Sequence, residues 1–213
     1  MNTINYIYMS ILSICFLTGL TTLHTLKMPL KVIFGYVLIS FVTECIGFYL
    51  LHIIGKNSQY LYSYYRPVSF SILSIFFFYI LNNQNIKKII PLIAILVLLF
   101  SLYFIWIGKS FEFNSQFGLL SKLILAIYAI IYLRQILNFD NKIFSNPYFW
   151  TVTGILFFYS CFFLLSGLIY YISSKDDELA KRLYSINHIL NIIYYSLVTY
   201  GFICQKRLTK SSL

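Results

Sequence analysis

The sequence predicts an all-α membrane protein in which residues 1–213 form a single domain of seven transmembrane helices. Only 10% of the 213 residues are charged and 60% are apolar, whereas soluble domains carry about 25% charged residues. The apolar residues are gathered into seven long runs, which at the length of membrane-spanning helices take up roughly two thirds of the chain. Composition and run length therefore indicate that lipid is the main solvent of this protein.

Each of the seven runs has the length that a membrane-spanning helix requires. About 20 apolar residues in a helix cross the roughly 30 Å of hydrocarbon in a bilayer. We place the predicted helices at about residues 5–23, 32–54, 62–81, 89–108, 119–137, 148–172 and 186–204. The connections are short and the last nine residues form a basic tail, so we expect no separate soluble domain within these residues.

Local features support several of these helices in turn. The first run lacks the preceding cationic segment and the following cleavage site of a signal peptide, so we expect a retained first helix. The fourth run, from Ile89 to Phe100, does not alternate apolar and polar residues as barrel strands do. Pro67, Pro91 and Pro147 are expected near the starts of helices 3, 4 and 6, where proline is tolerated.

The distribution of lysine and arginine favours an outside amino terminus and a cytoplasmic carboxyl terminus. Nine basic residues then lie on the cytoplasmic side and seven outside, and two of the seven, Arg66 and Lys122, lie at helix starts and count less as loop charge. The cytoplasmic residues are Lys27, Lys31, Lys87, Lys88, Arg134, Lys142, Lys206, Arg207 and Lys210. We therefore predict a multi-pass protein of the inner, cytoplasmic membrane.

The net charge of +10 does not indicate a nucleic-acid partner. Proteins that bind nucleic acid cluster their basic residues on one face, whereas here these residues are spread over connections on both sides of the predicted membrane. We expect them to orient the chain and to contact anionic lipid headgroups. Membrane lipids are therefore the expected partners, and nucleic acid is not.

Three charged residues fall within or at the edge of the predicted spans. Glu44 lies in helix 2, Arg66 near the start of helix 3 and Lys122 near the start of helix 5. In the predicted orientation all three lie in the outer half of the membrane. Charged groups at such depth usually face the protein interior or a wet cavity and often serve function, so they predict an outward-facing polar pocket.

Helix 7 carries a stripe of polar side chains at helical spacing. The stripe comprises Tyr184, Asn187, His188, Asn191 and Tyr195. A second polar stripe, in helix 2, includes Ser40, Thr43 and Glu44. If the two stripes meet, the Glu44 carboxylate accepts a hydrogen bond from His188, Arg66 or Lys122. If no cation reaches it, we expect the carboxyl group to stay protonated. Such a contact is either a ligand site or a polar clasp that fixes helix packing, and the sequence leaves both interpretations open.

A tyrosine-rich segment stands at the start of predicted helix 3. Residues 60–67 read YLYSYYRP, with four tyrosines beside Arg66. At the outer mouth of the protein this segment suits a cap over a pocket, and an aromatic belt at the headgroup level is the alternative. The predicted ligand-binding residues are therefore Glu44, Tyr64, Arg66, Lys122, Asn187, His188, Asn191 and Tyr195.

The sequence contains no pattern that is typical of a metal or cofactor site. A zinc site needs three or four converging ligands, but His24 and His52 fall near opposite surfaces and no HExxH occurs. The four cysteines show no CxxC spacing, and buried free cysteine usually acts as a small apolar residue. There is no GxSxG motif, and helix 7 has no lysine for a retinal Schiff base. We therefore expect no metal and no cofactor.

Four short motifs occur in order along the chain. They are Glu44-x-x-Gly47-x-Tyr49, the run from Tyr60 to Tyr65, Asn146-Pro147-x-Phe149-Trp150 leading into Gly154 and Phe158-Tyr159-Ser160, and Tyr184-x-Ile186-x-His188-x-Leu190-Asn191-Ile192 followed by Gly201-Phe202. In this order they resemble an uncharacterised family of small seven-helix membrane proteins in Bacteroidota. The resemblance covers nearly the whole chain and implies an inner-membrane location, but it assigns no activity and no functional residue.

These observations lead to one leading hypothesis and two alternatives. The leading hypothesis is a receptor-like sensor that binds a small or lipidic ligand in the outward-facing pocket and signals through a separate cytoplasmic or membrane partner. It rests on the charges in the outer half, on the lack of a catalytic motif and on a chain too short for an output domain. The alternatives are a membrane-embedded hydrolase that acts on lipid with Glu44 and His188 as acid and base, and a structural or assembly subunit.

Overall fold

The fold is helical throughout the residues that the structure describes. The structure is a computed structural model and describes residues 3–55, 58–107, 110–139, 143–173, 179, 183 and 185–211. Its seven long helices are α1 (Thr3–Thr22), α2 (Met28–Tyr49), α3 (Gln59–Ile80), α4 (Gln84–Trp106), α5 (Ser110–Phe139), α6 (Pro147–Ser173) and α7 (Ile186–Ser211). The all-α prediction is therefore confirmed.

Five of these helices are long and apolar enough to cross a membrane. They are α1, α2, α4, α5 and α6. The other two, α3 with 22 residues and α7 with 26, have sufficient length but contain more polar residues, such as the tyrosines of α3 and the asparagines of α7. The helices mark the chain as a multi-pass membrane protein, in agreement with the sequence.

The helix α2 continues beyond Tyr49 as one turn of π-helix. This turn spans Leu50–Ile54 and ends at Gly55, which has a φ of 70°. The Gly55 N–H donates a hydrogen bond to the Leu50 carbonyl oxygen. Because glycine adopts a positive φ at no steric cost, Gly55 permits the sharp end of this segment. The predicted span 32–54 thus contains two kinds of helical geometry.

The helices α3 and α4 begin several residues before their apolar runs. Pro67 and Pro91 therefore lie inside the helices, and the prediction that they lie near helix starts is wrong. At α4 the start is set by a cap, because the Asn83 side-chain oxygen accepts hydrogen bonds from the N–H groups of Asn85, at 3.0 Å, and Ile86, at 3.4 Å. Such capping starts a helix at polar residues, where hydropathy gives no signal.

The helix α7 includes the basic segment that the sequence predicted as a tail. It ends at Ser211, whereas the predicted helix ends at residue 204. The Gln205 side chain is buried, with 3% of its surface exposed, and the Thr209 hydroxyl donates to the Thr25 carbonyl oxygen at 3.4 Å. These contacts give the added turns packing partners, which is why the tail prediction is wrong for this segment.

The chain forms two compact units, and α1 and α7 pack together in the first. The first unit contains Met1–Lys27 and Lys122–Leu213, and the second is Met28–Ser121. The buried residues of α1 follow a spacing of four and three that is typical of coiled coils; they are Tyr8, Leu12, Cys15, Gly19 and Thr22. Tyr8 lies against His188 and Thr25 meets Thr209, so α1 and α7 run parallel.

Glycines allow α6 and α7 to approach closely in the first unit. A Cβ on Gly201 would lie 2.6 Å from the Thr151 Oγ1 and 3.1 Å from the Pro147 carbonyl oxygen. A Cβ on Gly154 would lie 3.2 Å from the Cβ of Leu197. The order of these contacts shows that α6 and α7 are antiparallel. Glycine at these two positions therefore lets the two helices approach closely.

In the second unit, α3 packs between α2 and α4. Tyr62 near the start of α3 reaches Glu44 in the second half of α2, and Lys87 near the start of α4 lies over Phe78 near the end of α3. Neighbouring helices in this unit are therefore antiparallel. The buried residues of α3 include Phe70, Leu73, Phe76 and Phe77.

Replacing Gly201 with alanine should destabilise the first unit. The added methyl group would overlap the Thr151 hydroxyl oxygen and press on the Pro147 carbonyl, so we expect the free energy of unfolding to fall by about 1–3 kcal/mol. Thermal unfolding of the full chain in detergent micelles measures the change. Gly167→Ala is the matched control, because a Cβ there would meet nothing within 4 Å. Equal stability of the two variants would contradict the close packing.

Candidate functional site

The predicted intramembrane carboxylate of Glu44 forms a hydrogen bond between α2 and α3. Glu44 is half-buried, and the Tyr62 hydroxyl donates to its Oε2 at 3.0 Å. Gly47, one turn further along α2, leaves room for this hydroxyl, because a Cβ there would lie 3.2 Å from the Tyr62 oxygen. The hydrogen bond therefore joins α3 to α2 through side chains.

A second tyrosine of α3 makes the neighbouring contact with α2. The Ser40 hydroxyl donates to the Tyr36 carbonyl oxygen at 2.8 Å and lies 2.7 Å from the Tyr65 hydroxyl. Either hydroxyl can be the donor in the second contact, and the Tyr65 side chain also hydrogen-bonds that of Tyr36 on α2. We call Ser40, Glu44, Tyr62 and Tyr65 the polar ladder.

The two predicted ligand-binding residues of α3, Tyr64 and Arg66, lie on its exposed side. Arg66 is exposed, and Tyr64, 38% exposed, pairs through its hydroxyl with Tyr60, which is 64% exposed. Tyr62 and Tyr65 are not among the predicted ligand-binding residues, because a run of tyrosines does not by itself show which of them face α2. Their spacing of three residues, with polar residues at similar intervals in helix 2, was the available signal.

Lys122 on α5 is held by α6 within the first unit. Its Nζ donates a hydrogen bond of 2.7 Å to the Ser166 hydroxyl and lies 3.7 Å from the centre of the Phe162 ring. Ser166 in turn donates to the Phe162 carbonyl oxygen at 2.6 Å. A hydroxyl acceptor and a cation–π contact together stabilise the ammonium group in an apolar setting, so Lys122 fastens α5 to α6.

The polar stripe of α7 divides into two kinds of contact. The His188 ring centre lies 5.5 Å from that of Tyr8 on α1, and the Tyr195 ring centre lies 6.2 Å from the same Tyr8 ring. The Asn191 side chain instead donates to Asn187 on α7 itself, at 2.9 Å to the carbonyl oxygen and 3.4 Å to Oδ1. His188 and Tyr195 therefore face α1, while the two asparagines bond along their own helix.

The predicted site residues are divided between the two units. Glu44, Tyr64 and Arg66 belong to the second unit, and Lys122, Asn187, His188, Asn191 and Tyr195 belong to the first. Tyr184 lies outside the described residues. The prediction that Glu44 meets His188 or Lys122, and the hydrolase that would use Glu44 with His188, stay predictions.

Metal-ligating side chains do not converge in the part of the chain that the structure describes. No three His, Cys, Asp or Glu side chains come together among these residues. The described residues include all four cysteines, which are free thiols, and Cys15 is buried against α7. Among the described residues, the polar ladder is therefore the best candidate for a functional site, because it brings together a carboxylate and three hydroxyl groups.

Comparison with known proteins does not assign this chain to a family. No protein-family model, no curated protein and no solved structure matches it. The resemblance to small seven-helix proteins of Bacteroidota stays a prediction that rests on the order of its motifs.

The bond between Tyr62 and Glu44 should appear as coupling in a double-mutant cycle. We expect Tyr62→Phe and Glu44→Ala to interact by about 0.6 kcal/mol, the average for hydrogen bonds between membrane helices, and by no more than about 1.7 kcal/mol. Reversible unfolding of the full chain in mixed micelles measures each variant. Tyr64→Phe is the control, because Tyr64 lies on the exposed side of the same helix. Strict additivity of the Tyr62 and Glu44 changes would argue against the bond.

Proposed function

We propose that all seven helices cross the membrane, with the amino terminus outside and the carboxyl terminus in the cytoplasm. The helix α7 packs along α1 and α6, and α3 packs along α2 and α4. All four neighbours are apolar enough to span. A helix that lies side by side with two spanning helices occupies the same depth as they do, which supports α3 and α7 as two further spans.

The helix directions agree with this topology. In the first unit α1 and α7 run parallel while α6 runs antiparallel to α7, as expected when the first and seventh of seven alternating spans share a direction. Lys206, Arg207 and Lys210 at the end of α7 favour the cytoplasm for that end. Together with the resemblance to inner-membrane proteins, these features support an inner-membrane location.

We propose that the polar ladder is the ligand site of a receptor-like membrane sensor. The observation that carries this proposal is the half-buried Glu44 carboxylate inside an apolar helix, held by the neutral hydroxyl of Tyr62. Ionisable groups at such depth are biased toward function. In the proposed topology Glu44 lies in the outer half of the membrane. A small or lipidic ligand with a cationic or hydrogen-bond-donating group would then compete with Tyr62 for the carboxylate.

Release of Tyr62 would allow α3 to shift against α2. The ladder joins the two helices through two side-chain contacts, and the π-helical turn Leu50–Ile54 follows α2 directly. Such turns are frequent at functional sites. A ligand that binds the shifted arrangement more tightly would raise its population, and α3 would carry the shift to a separate cytoplasmic or membrane partner.

A structural or assembly subunit is the second candidate function. It is favoured by Lys122, whose cation contacts Ser166 and Phe162 and so joins α5 to α6. In this case the polar ladder would act as a clasp that fastens α3 to α2. The two candidates differ in what a Glu44 substitution changes.

Thermal-shift measurements with native extracts separate the two candidates. The probe is a fractionated extract of membrane lipids and small metabolites, added to the full chain in detergent micelles. We expect at least one fraction to raise the melting temperature of the wild type, and the rise to be smaller in Glu44→Gln because the amide lacks the negative charge of the carboxylate. Cys45→Ser is the matched control, because Cys45 is the exposed neighbour of Glu44 on α2 and should keep the response.

Two results would contradict the sensor. One is a ligand-induced rise of equal size in wild type and Glu44→Gln. The other is a Glu44→Gln variant that melts lower than wild type while no fraction shifts either protein, which is the behaviour of a clasp. A density map of the outer half of the second unit, with non-protein density against Glu44, would independently support the sensor.

A further inference from the structure

A half-open pocket lies between α3 and α4 in the second unit, at the opposite end of α3 from the polar ladder. Its volume is about 310 Å³, at the small end of ligand pockets in proteins. It is lined by Ser74, Ile75, Phe78, Tyr79, Ile90, Pro91 and Ala94. Ile75, Phe78 and Tyr79 are exposed, so the pocket opens onto the apolar outer surface of the two helices.

Pro91 and Ala94 explain why α4 leaves space here. Pro91 lies inside α4, where it has no N–H to donate to the Lys87 carbonyl oxygen four residues earlier, and its ring crowds that carbonyl. Ala94, about one turn further along the helix, carries only a methyl group. The side chains of α4 that face the end of α3 therefore fill little volume at both positions.

Ser74 provides a buried polar group at this pocket. It is 1% exposed, and its hydroxyl has no hydrogen-bond partner among the residues that the structure describes. Ser71 and Ser101, in the same two helices, each donate instead to the carbonyl oxygen four residues earlier. A buried hydroxyl without a partner is costly, and rotation about one bond would turn that of Ser74 toward an acceptor in the pocket.

The ammonium group of Lys87 lies near the pocket, where α3 ends and α4 begins. The Nζ of Lys87 lies 5.9 Å from the centre of the Phe78 ring, which lines the pocket. Phe78 follows Ser74 by four residues, so its backbone is about one helical turn, roughly 6 Å, nearer the end of α3. Lys88, the next residue of α4, is exposed.

We propose that this pocket binds an anionic phospholipid. The lipid phosphate pairs with Lys87, an ester carbonyl accepts a hydrogen bond from Ser74, and the upper part of one acyl chain fills the space beside Pro91 and Ala94. The order of cation, hydroxyl donor and apolar space along the helices matches the order of phosphate, ester and chain in the lipid. In the proposed topology the site faces the cytoplasmic leaflet, where anionic lipids attract basic segments.

Native mass spectrometry of the full chain in detergent tests this site with phosphatidylglycerol as the probe. We expect Ala94→Leu to fill the pocket and weaken lipid retention about tenfold, a change of about 1.4 kcal/mol. Ser74→Ala should weaken it about fivefold through the loss of one hydrogen bond, while Ser71→Ala, whose hydroxyl is bonded to Pro67, should not. Lys87→Gln should abolish the preference over phosphatidylcholine of the same chains, and Lys88→Gln should largely keep it.

Melting temperatures show whether each variant is folded. If Ala94→Leu does not fold, the lipid retention of Ser74→Ala and Lys87→Gln tests the proposal. Wild-type retention of phosphatidylglycerol by folded Ser74→Ala and Lys87→Gln would overturn the proposal. Equal loss in Lys87→Gln and Lys88→Gln would also overturn it, because it would indicate general attraction to the basic surface. Binding of glycerol phosphate as tightly as of the whole lipid would show that the acyl chain has no pocket.

Discussion

The structure depends on one constraint, which is that polar side chains in helices solvated by lipid must find their partners inside the protein. Many hydroxyls find a partner within their own helix. Ser13, Ser101 and Thr199, for example, donate to the carbonyl oxygen four residues earlier. Such bonds satisfy the side chain without joining helices. The few polar contacts that do join helices therefore have a large influence on how the helices are arranged.

Among the described residues, some of these contacts connect helices through side chains with charge or with phenolic hydroxyls. Tyr62 reaches Glu44, Tyr65 reaches Ser40, and Lys122 reaches Ser166. Tyr62 and Tyr65 are among the residues that make α3 more polar than α4, and both face α2. Close glycine packing between α6 and α7 complements them, because without a hydrophobic drive between helices in lipid, van der Waals contact supplies much of the association.

The helix α3 links the two sites that we propose. Its first turns carry Tyr62 and Tyr65 of the polar ladder, and its last turns carry Ser74 and Phe78 of the lipid pocket. The twelve residues from Tyr62 to Ser74 span about 18 Å along a helix. Because both sites use side chains of α3, a shift of α3 at the ladder would change the pocket against α4, and lipid in the pocket would bias the position of α3.

The sequence by itself determined the helical class, the membrane environment and the approximate position of every long helix, because apolar run length and charge depletion are local properties. It also contained the start of α6, where Asn146 caps the helix by accepting from the Tyr148 N–H at 3.0 Å and Pro147 occupies the first turn. The tertiary structure decided which face of each helix meets a neighbour. The rotation of α3 places Tyr62, and not Tyr64, against Glu44, and Lys122 of α5 lies against Phe162 of α6. The helix α7 also continues beyond residue 204. These outcomes depend on side chains from distant parts of the chain, which no local pattern specifies.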